Sequence, residues 1–185
     1  MAAVPWGRPR HWLSIAYIDL FRAIPGLVLI YMVGFGIPIS GVPVLSDWSQ
    51  YSLAVLALTI LYGAYVAEVY RAGIESIHWS QTAAARSLGL SQGKTMRFVV
   101  LPQAVRRVVP PLLNDFIGLQ KDTAFIGIIG VLDGFRRAQI YAGSKFNLSS
   151  FTVLAICYVV ITFPMTRFTD RLLKRDQERL RVGGR

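Results

Sequence analysis

Four stretches of this chain are apolar enough to pose the question of a lipid bilayer, and nothing else in the sequence constrains its fold as strongly. A membrane core takes about 20 mostly apolar residues as a helix, and backbone polar groups inside it must be satisfied within the protein. Runs at about 24–44, 51–69 and 150–168 meet that length. A further run, 110–131, is cleanly apolar only toward its end, in the ten residues TAFIGIIGVL at 123–132. It reaches spanning length only by starting near Pro110, and then it contains Asn114, Asp115, Gln120, Lys121 and Asp122. The expected fold is therefore all-α: a multi-pass transmembrane helical bundle of about four spans.

Composition excludes the main alternatives. The formal charge is +10, yet 54% of the residues are hydrophobic and only 16% are charged. A disordered polycation would be poor in apolar residues. A nucleic-acid-binding domain would carry its charge on one face of an ordinary soluble fold, so no nucleic-acid partner is expected. Here the basic residues sit between apolar runs. Lys and Arg number three in residues 1–22, none in 45–50, seven in 71–121, three in 132–149 and seven in 167–185, so alternate sides hold 17 against 3. The positive-inside rule puts both termini and the long central segment in the cytoplasm, with lipid around the spans. Residues 1–22 read as a cytoplasmic lead-in with an interfacial helix through Trp12, Ile15, Ala16, Asp19 and Leu20, without a signal-peptide cleavage pattern. Residues 23–170 form the membrane domain and 171–185 a basic tail suited to anionic lipid.

The segment between the second and third runs is no simple polar linker. SQTAAARSLGLSQGKTMRFVVLPQAVRR, residues 80–107, predicts two short helices. The first covers about Gln81 to Leu88, with Ala84, Ala85 and Leu88 on one face and Gln81 and Arg86 elsewhere. Gly89 stands where a helix end often needs a left-handed residue. The second covers Lys94 to Leu101, and Pro102 is expected to stop it. Small side chains on such a helix let another backbone approach closely. A helix lying on the membrane surface explains the same pattern.

This stretch resembles the EAA loop of bacterial ABC-transporter permeases. That pattern is Glu-Ala-Ala, three residues, Gly, nine residues, Ile, one residue, Leu-Pro. Ala84, Ala85, Gly89, Leu101 and Pro102 match it, Val99 replaces the Ile, and Ala83 stands at the Glu position. The segments FRAIPGLVLIYMVGFGIP (21–38), AYVAEVYRAGI (64–74) and LPQAVRRVVPPLLNDFIGLQKDTAFIGIIGV (101–131) resemble the polar amino-acid uptake branch. The resemblance implies an inner-membrane permease subunit of an ATP-driven amino-acid importer, working with a second, identical or similar permease. The other partners would be cytoplasmic ATPase subunits and an extracytoplasmic solute-binding protein. Gln81, Ala83, Ala84, Ala85, Leu88, Gly89 and Leu90, within the loop at 80–102, would form the coupling helix that docks on the ATPase. Ala83 would weaken or shift that contact. No GxxxxGK[ST] phosphate loop occurs, so ATP would be bound by the partner, and the chain itself would be no enzyme and hold no cofactor. Members of this branch have five spans with the N-terminus outside, so the resemblance starts after their first span.

Ionisable groups at bilayer depth are costly and normally face a cavity or a partner. Lys121, Asp122 and Thr123, with Asn114 two turns earlier, are expected to border an aqueous path where a zwitterion finds both signs of charge. The structural alternative pairs Asp122 with Lys121 or another helix and makes Asn114 or Asp115 the cap of a broken helix. Glu68 and Arg71 are spaced for an interfacial i, i+3 ion pair. Gly34, Gly36, Gly127 and Gly130 have spacing suited to close helix packing. His11 and His78 stand far apart with no cysteine cluster, so no metal site is expected, and Cys157 reads as a small hydrophobe. Two other functional readings fit less of the sequence: a truncated, non-transporting permease fragment, and an ion-coupled carrier using Asp122 and Glu68.

Overall fold

A proline sets the first turn of the architecture. The computed structural model describes residues 9–41 and 47–182; expectations that fall on 1–8, 42–46 and 183–185 lie outside them. Helix α1 (Pro9–Ala23) meets α2 (Gly26–Tyr31) at Pro25, held extended at φ −57°, ψ 133°. The ring fixes φ and bars the preceding residue from continuing a helix. The chain bends by 101° there. A π-helical turn (Met32–Gly36) and the short α3 (Ile37–Ser40) carry α2 onward until Gly41, at φ +67°, ends it. The lead-in is thus a helix packed on the bundle: Ile18 is buried and the Tyr17 hydroxyl donates to the Ile60 carbonyl at 2.7 Å.

Helix α4 (Gln50–Glu75) begins at Ser49, whose hydroxyl accepts from the Ser52 amide at 3.2 Å. Its 26 residues give a rod of about 39 Å, longer than the expected run at 51–69. The apolar core forms where α2 and its π turn (Leu29, Ile30, Val33) meet α4 (Leu53, Ala54, Ala57, Leu58, Leu61) and Ile129.

After α4 come α5 (Trp79–Ser87), α6 (Gln92–Thr95), a π turn (Met96–Val100) and α7 (Leu101–Asp122). Here two expectations fail. Pro102 does not stop a helix, and no helix starts at Pro110. Pro102 lies in the first turn of α7, and Pro110 and Pro111 are carried inside it. The π turn (Met96–Val100) leads directly into α7, and the Gln103 side-chain amide donates to the Val99 carbonyl at 2.8 Å. The apolar stretch after Asp122 is a tight 3-10 coil (Thr123–Ile129) that turns at Gly130, φ +93°. Asn114 and Asp115 therefore lie mid-helix and cap nothing.

Helix α8 (Gly134–Lys145) starts at Asp133, whose carboxylate accepts from the Arg136 amide at 2.8 Å. Helix α9 (Ser149–Val182) completes the bundle and runs well past the expected end at Phe168. Among the described residues two helices are long and apolar enough to cross a membrane, Gln50–Glu75 and Ser149–Lys174, and a third crossing exists if the bent pair Trp12–Ala23 and Gly26–Ser40 counts as one. The expected run at 110–131 is wound as the end of α7 followed by the 3-10 coil, so no single α-helix covers it. The helical membrane bundle stands.

Lipid is as apolar as a leucine side chain, so helix association in a membrane rests on close packing rather than on removal from water. Glycines mark those contacts. A methyl on Gly34 would sit 2.6 Å from Ile129 Cγ2, and one on Gly73 would sit 2.1 Å from Val108 Cγ2. Gly36 and Gly130 have open space instead. Gly73→Ala is expected to force α4 and α7 apart, costing roughly 1–3 kcal/mol. Thermal unfolding in detergent should show the loss, and Val108→Ala in the same chain should restore most of it. A Gly73→Ala protein as stable as the parent would refute this packing.

Candidate functional site

The central segment is built as a small rigid block. The His78 imidazole Nδ1 accepts from the Ser80 amide at 3.3 Å and starts α5. At its end the Gly89 amide donates to the Arg86 carbonyl at 2.9 Å and the Leu90 amide to the Ala85 carbonyl at 3.2 Å. Those two bonds define a Schellman closure, which needs a left-handed residue, and Gly89 supplies it at φ +82°. Ile77, Val100 and Ala104 pack into one apolar cluster beneath the block. The Arg107 guanidinium donates to the Ser76 carbonyl. The block is thereby tied to the last turn of α4 and the first turns of α7.

The face presented outward differs from the expected one. Ala85 is only 5% exposed and turns into the chain. Leu90 is half-buried, whereas Gln81, Ala83, Ala84, Leu88 and Gly89 are exposed. Gln81, Ala84 and Leu88 stand at i, i+3, i+7 and share the outer side, so Gln81 joins the face and Ala85 leaves it. The expected set had taken two adjacent alanines as one face, although they lie about 100° apart around a helix.

The residues expected to border an aqueous path are placed less uniformly. The Tyr62 hydroxyl of α4 donates to Asp122 Oδ2 at 2.9 Å. Asp122 therefore pairs across helices, as its structural alternative held, but with a tyrosine rather than Lys121. The Thr123 hydroxyl donates to the Gln120 carbonyl at 2.7 Å. Asn114 is exposed. Lys121 points elsewhere: with Ala124, Tyr158, Val159 and Thr162 it lines an open groove of about 320 Å³ between the end of α7 and α9. Thr162 Oγ1 lies 3.5 Å from Gln120 Oε1. Asn114, Asp122 and Thr123 do not line this groove. Sequence reading missed Tyr62, Tyr158 and Thr162; a hydroxyl within an apolar run was the available signal.

Glu68 is the node of a charge cluster. Its carboxylate accepts from Arg71 Nη2 at 2.7 Å and Nε at 2.9 Å, and Arg22 Nη1 lies 3.6 Å away. Arg71 also reaches Glu75 at 3.2 Å. The expected i, i+3 pair is present, and Arg22 extends it to the residue just before the α1–α2 bend.

The family described as "binding-protein-dependent transport system inner membrane component" matches residues 1–176. A probable glutamine ABC transporter permease of Bacillus subtilis is 34% identical, over 91% of this chain and 76% of that protein. An arginine transport system permease of the same organism is also 34% identical, over 91% and 78%. Among solved structures, an amino acid ABC transporter superposes with a TM-score of 0.84 at 31% identity, covering 92% of this chain and 78% of the other.

Proposed function

This chain belongs to the family of binding-protein-dependent transport system inner membrane components, and from that premise we propose that its cargo is a polar amino acid. It is a membrane-embedded permease subunit of an ABC transporter, a transport protein of the bacterial inner membrane. As in its family generally, it works with ATPase and binding-protein partners. Glutamine and arginine permeases resemble it equally at 34% identity, which supports the polar amino-acid class and leaves the side chain open.

In this reading the outer face of α5, made of Gln81, Ala83, Ala84, Leu88 and Gly89, docks on the cytoplasmic ATPase, which binds the ATP. Ala85 and Leu90 support that face from within. The observation that carries this is the rigid block: α5 ends in a Schellman closure and is tied to α4 and α7, yet presents an uncovered apolar side chain, Leu88. Nucleotide-driven motion of the ATPase would reach α7 without a flexible link. A second permease, identical or similar, completes the path, and the solute-binding protein delivers cargo from the opposite side. Affinity purification of the native protein in mild detergent tests the assembly. A phosphate-loop ATPase should copurify; its absence from an intact membrane complex would sink the reading.

The substrate path is proposed to run past Lys121, Asp122, Thr123 and Asn114. Lys121 brings the one charge among the described residues lining the groove, and Asp122, held by Tyr62, positions the turn below it. Lys121→Gln should raise the apparent KM for uptake about tenfold while basal ATP hydrolysis stays unchanged. An unchanged KM would remove Lys121 from the path.

A further inference from the structure

We propose that the corner joining α8 to α9 is a bilayer-interface anchor, built to seat in the headgroup layer of a membrane containing anionic phospholipid. The starting observation is a residue that local sterics would not choose. Phe146 ends α8 at φ 50°, ψ 37°, the left-handed region that favours glycine or asparagine over a bulky aromatic. It is the sole non-glycine residue with positive φ among the described residues. Strain of this kind persists where surrounding structure or function maintains it. Yet the ring packs on nothing among the described residues, Phe146 being 97% exposed.

Its surroundings name the occupant. Leu148, two residues on, is exposed, as are Ile140 and Tyr141 on the outer side of α8. The inner side of α8 is used internally: Ala138 and Ala142 are buried, and the Ser150 hydroxyl donates to the Ala138 carbonyl at 2.9 Å. Between Gly134 and Lys145 the helix has no carboxylate. Arg136 is engaged with Gln139 at 2.6 Å. Arg137 and Lys145 have no ion-pair partner among the described residues. The corner is therefore aromatic and aliphatic at its tip, with free cations beside it. Such a mixture suits the boundary between acyl chains and phosphates.

Continuity decides for lipid over a protein partner. The next turn begins Ser149–Lys174, a helix of spanning length with none of its most apolar window buried by the chain. Val153 and Ile156 carry the exposed apolar surface on from Leu148. A helix that enters lipid at Ser149 places Phe146 and Leu148 at the level of the headgroups. Burying the ring in that layer offsets the backbone strain, and Arg137 and Lys145 meet the phosphates.

Spin labelling of the full chain in lipid nanodiscs tests this. A Phe146→Cys label is placed in a Cys157→Ser background, with a Ser91→Cys label as the water reference. In discs containing phosphatidylglycerol, the label at 146 should be several-fold more accessible to oxygen than to a nickel complex, and the label at 91 the reverse. Arg137→Gln with Lys145→Gln should shift the label at 146 toward the nickel complex. A second variant separates anchoring from strain. Phe146→Gly should match or exceed the parent melting temperature in detergent, because glycine accepts positive φ. In nanodiscs it should lose most of the stabilisation that phosphatidylglycerol confers on the parent. The proposal is overturned if the label at 146 is as nickel-accessible as that at 91, including the case where added solute-binding protein then shields it. Lipid stabilisation unchanged by Phe146→Gly would equally overturn it.

Discussion

Leu88→Asp should abolish copurification of the ATPase and reduce transport to background while leaving the membrane domain folded. Leu88 is 84% exposed and packs on nothing among the described residues, so a carboxylate there creates no internal clash. The backbone closure that ends α5 runs through the amides of Gly89 and Leu90 and is indifferent to the side chain at 88. In a docked complex the substitution acts twice. It removes the burial of a leucine, about 1.5–3 kcal/mol, and it forces a charge to lose water without a partner, which costs several more. Four kcal/mol corresponds to roughly a thousandfold in affinity. Gly89→Ala is the contrasting change. Space around Gly89 is open, so only the left-handed backbone is penalised, by about 1–2 kcal/mol, and partial coupling should survive. Size-exclusion profiles and unfolding in detergent report the fold; pull-down of the ATPase reports docking. A Leu88→Asp protein that still captures the ATPase at parental affinity would remove α5 from the interface.

The difference between what could and could not be read from the residues follows physical range. Gly89 was legible because positive φ restricts the choice of residue at one position, independent of the rest of the fold. Glu68 and Arg71 were legible because three residues along a helix bring two side chains together whatever surrounds them. Pro102 misled for the same local reason: a proline often ends a helix, but in the first turn of one it is tolerated, and Pro102 stands in the first turn of α7. Partners distant in the chain left no local trace. Tyr62 and Asp122 are 60 residues apart, and the contact of Gly73 with Val108 exists only once α4 and α7 are packed. How the run at 110–131 is wound was hidden on a third ground. Counting apolar residues does not distinguish a helix from a 3-10 coil, and seven residues of that run adopt the tighter form.

Glu68→Gln is expected to destabilise the membrane domain by roughly 1–3 kcal/mol, whereas Glu75→Gln should be nearly silent. Both carboxylates pair with Arg71, so a count of salt bridges would treat them alike. Their surroundings differ. The Glu68 side chain is 18% exposed and that of Glu75 is 64% exposed. Exposed ion pairs are screened by water and contribute about 0–1 kcal/mol. A largely buried carboxylate that neutralises two guanidinium groups is another matter, because its loss takes away Arg22's ion-pair partner and leaves Arg71 only the exposed Glu75; complete burial would cost about 3–5 kcal/mol, and the part-exposed arginines lower that figure. Arg22 makes the effect more than local. It stands just before the 101° bend between α1 and α2, and its guanidinium lies over the Tyr65 ring, 6.0 Å from the centroid. Releasing it loosens the seat of α1 on α4. Glu68→Gln should therefore lower the melting temperature in detergent by several degrees and raise protease access within α1, while Glu75→Gln leaves both unchanged. Charge reversal at both ends of the pair, Glu68→Arg with Arg71→Glu, should recover little, because Arg22 would then face a like charge. Equal, small effects at 68 and 75 would show that the cluster is an ordinary surface ladder.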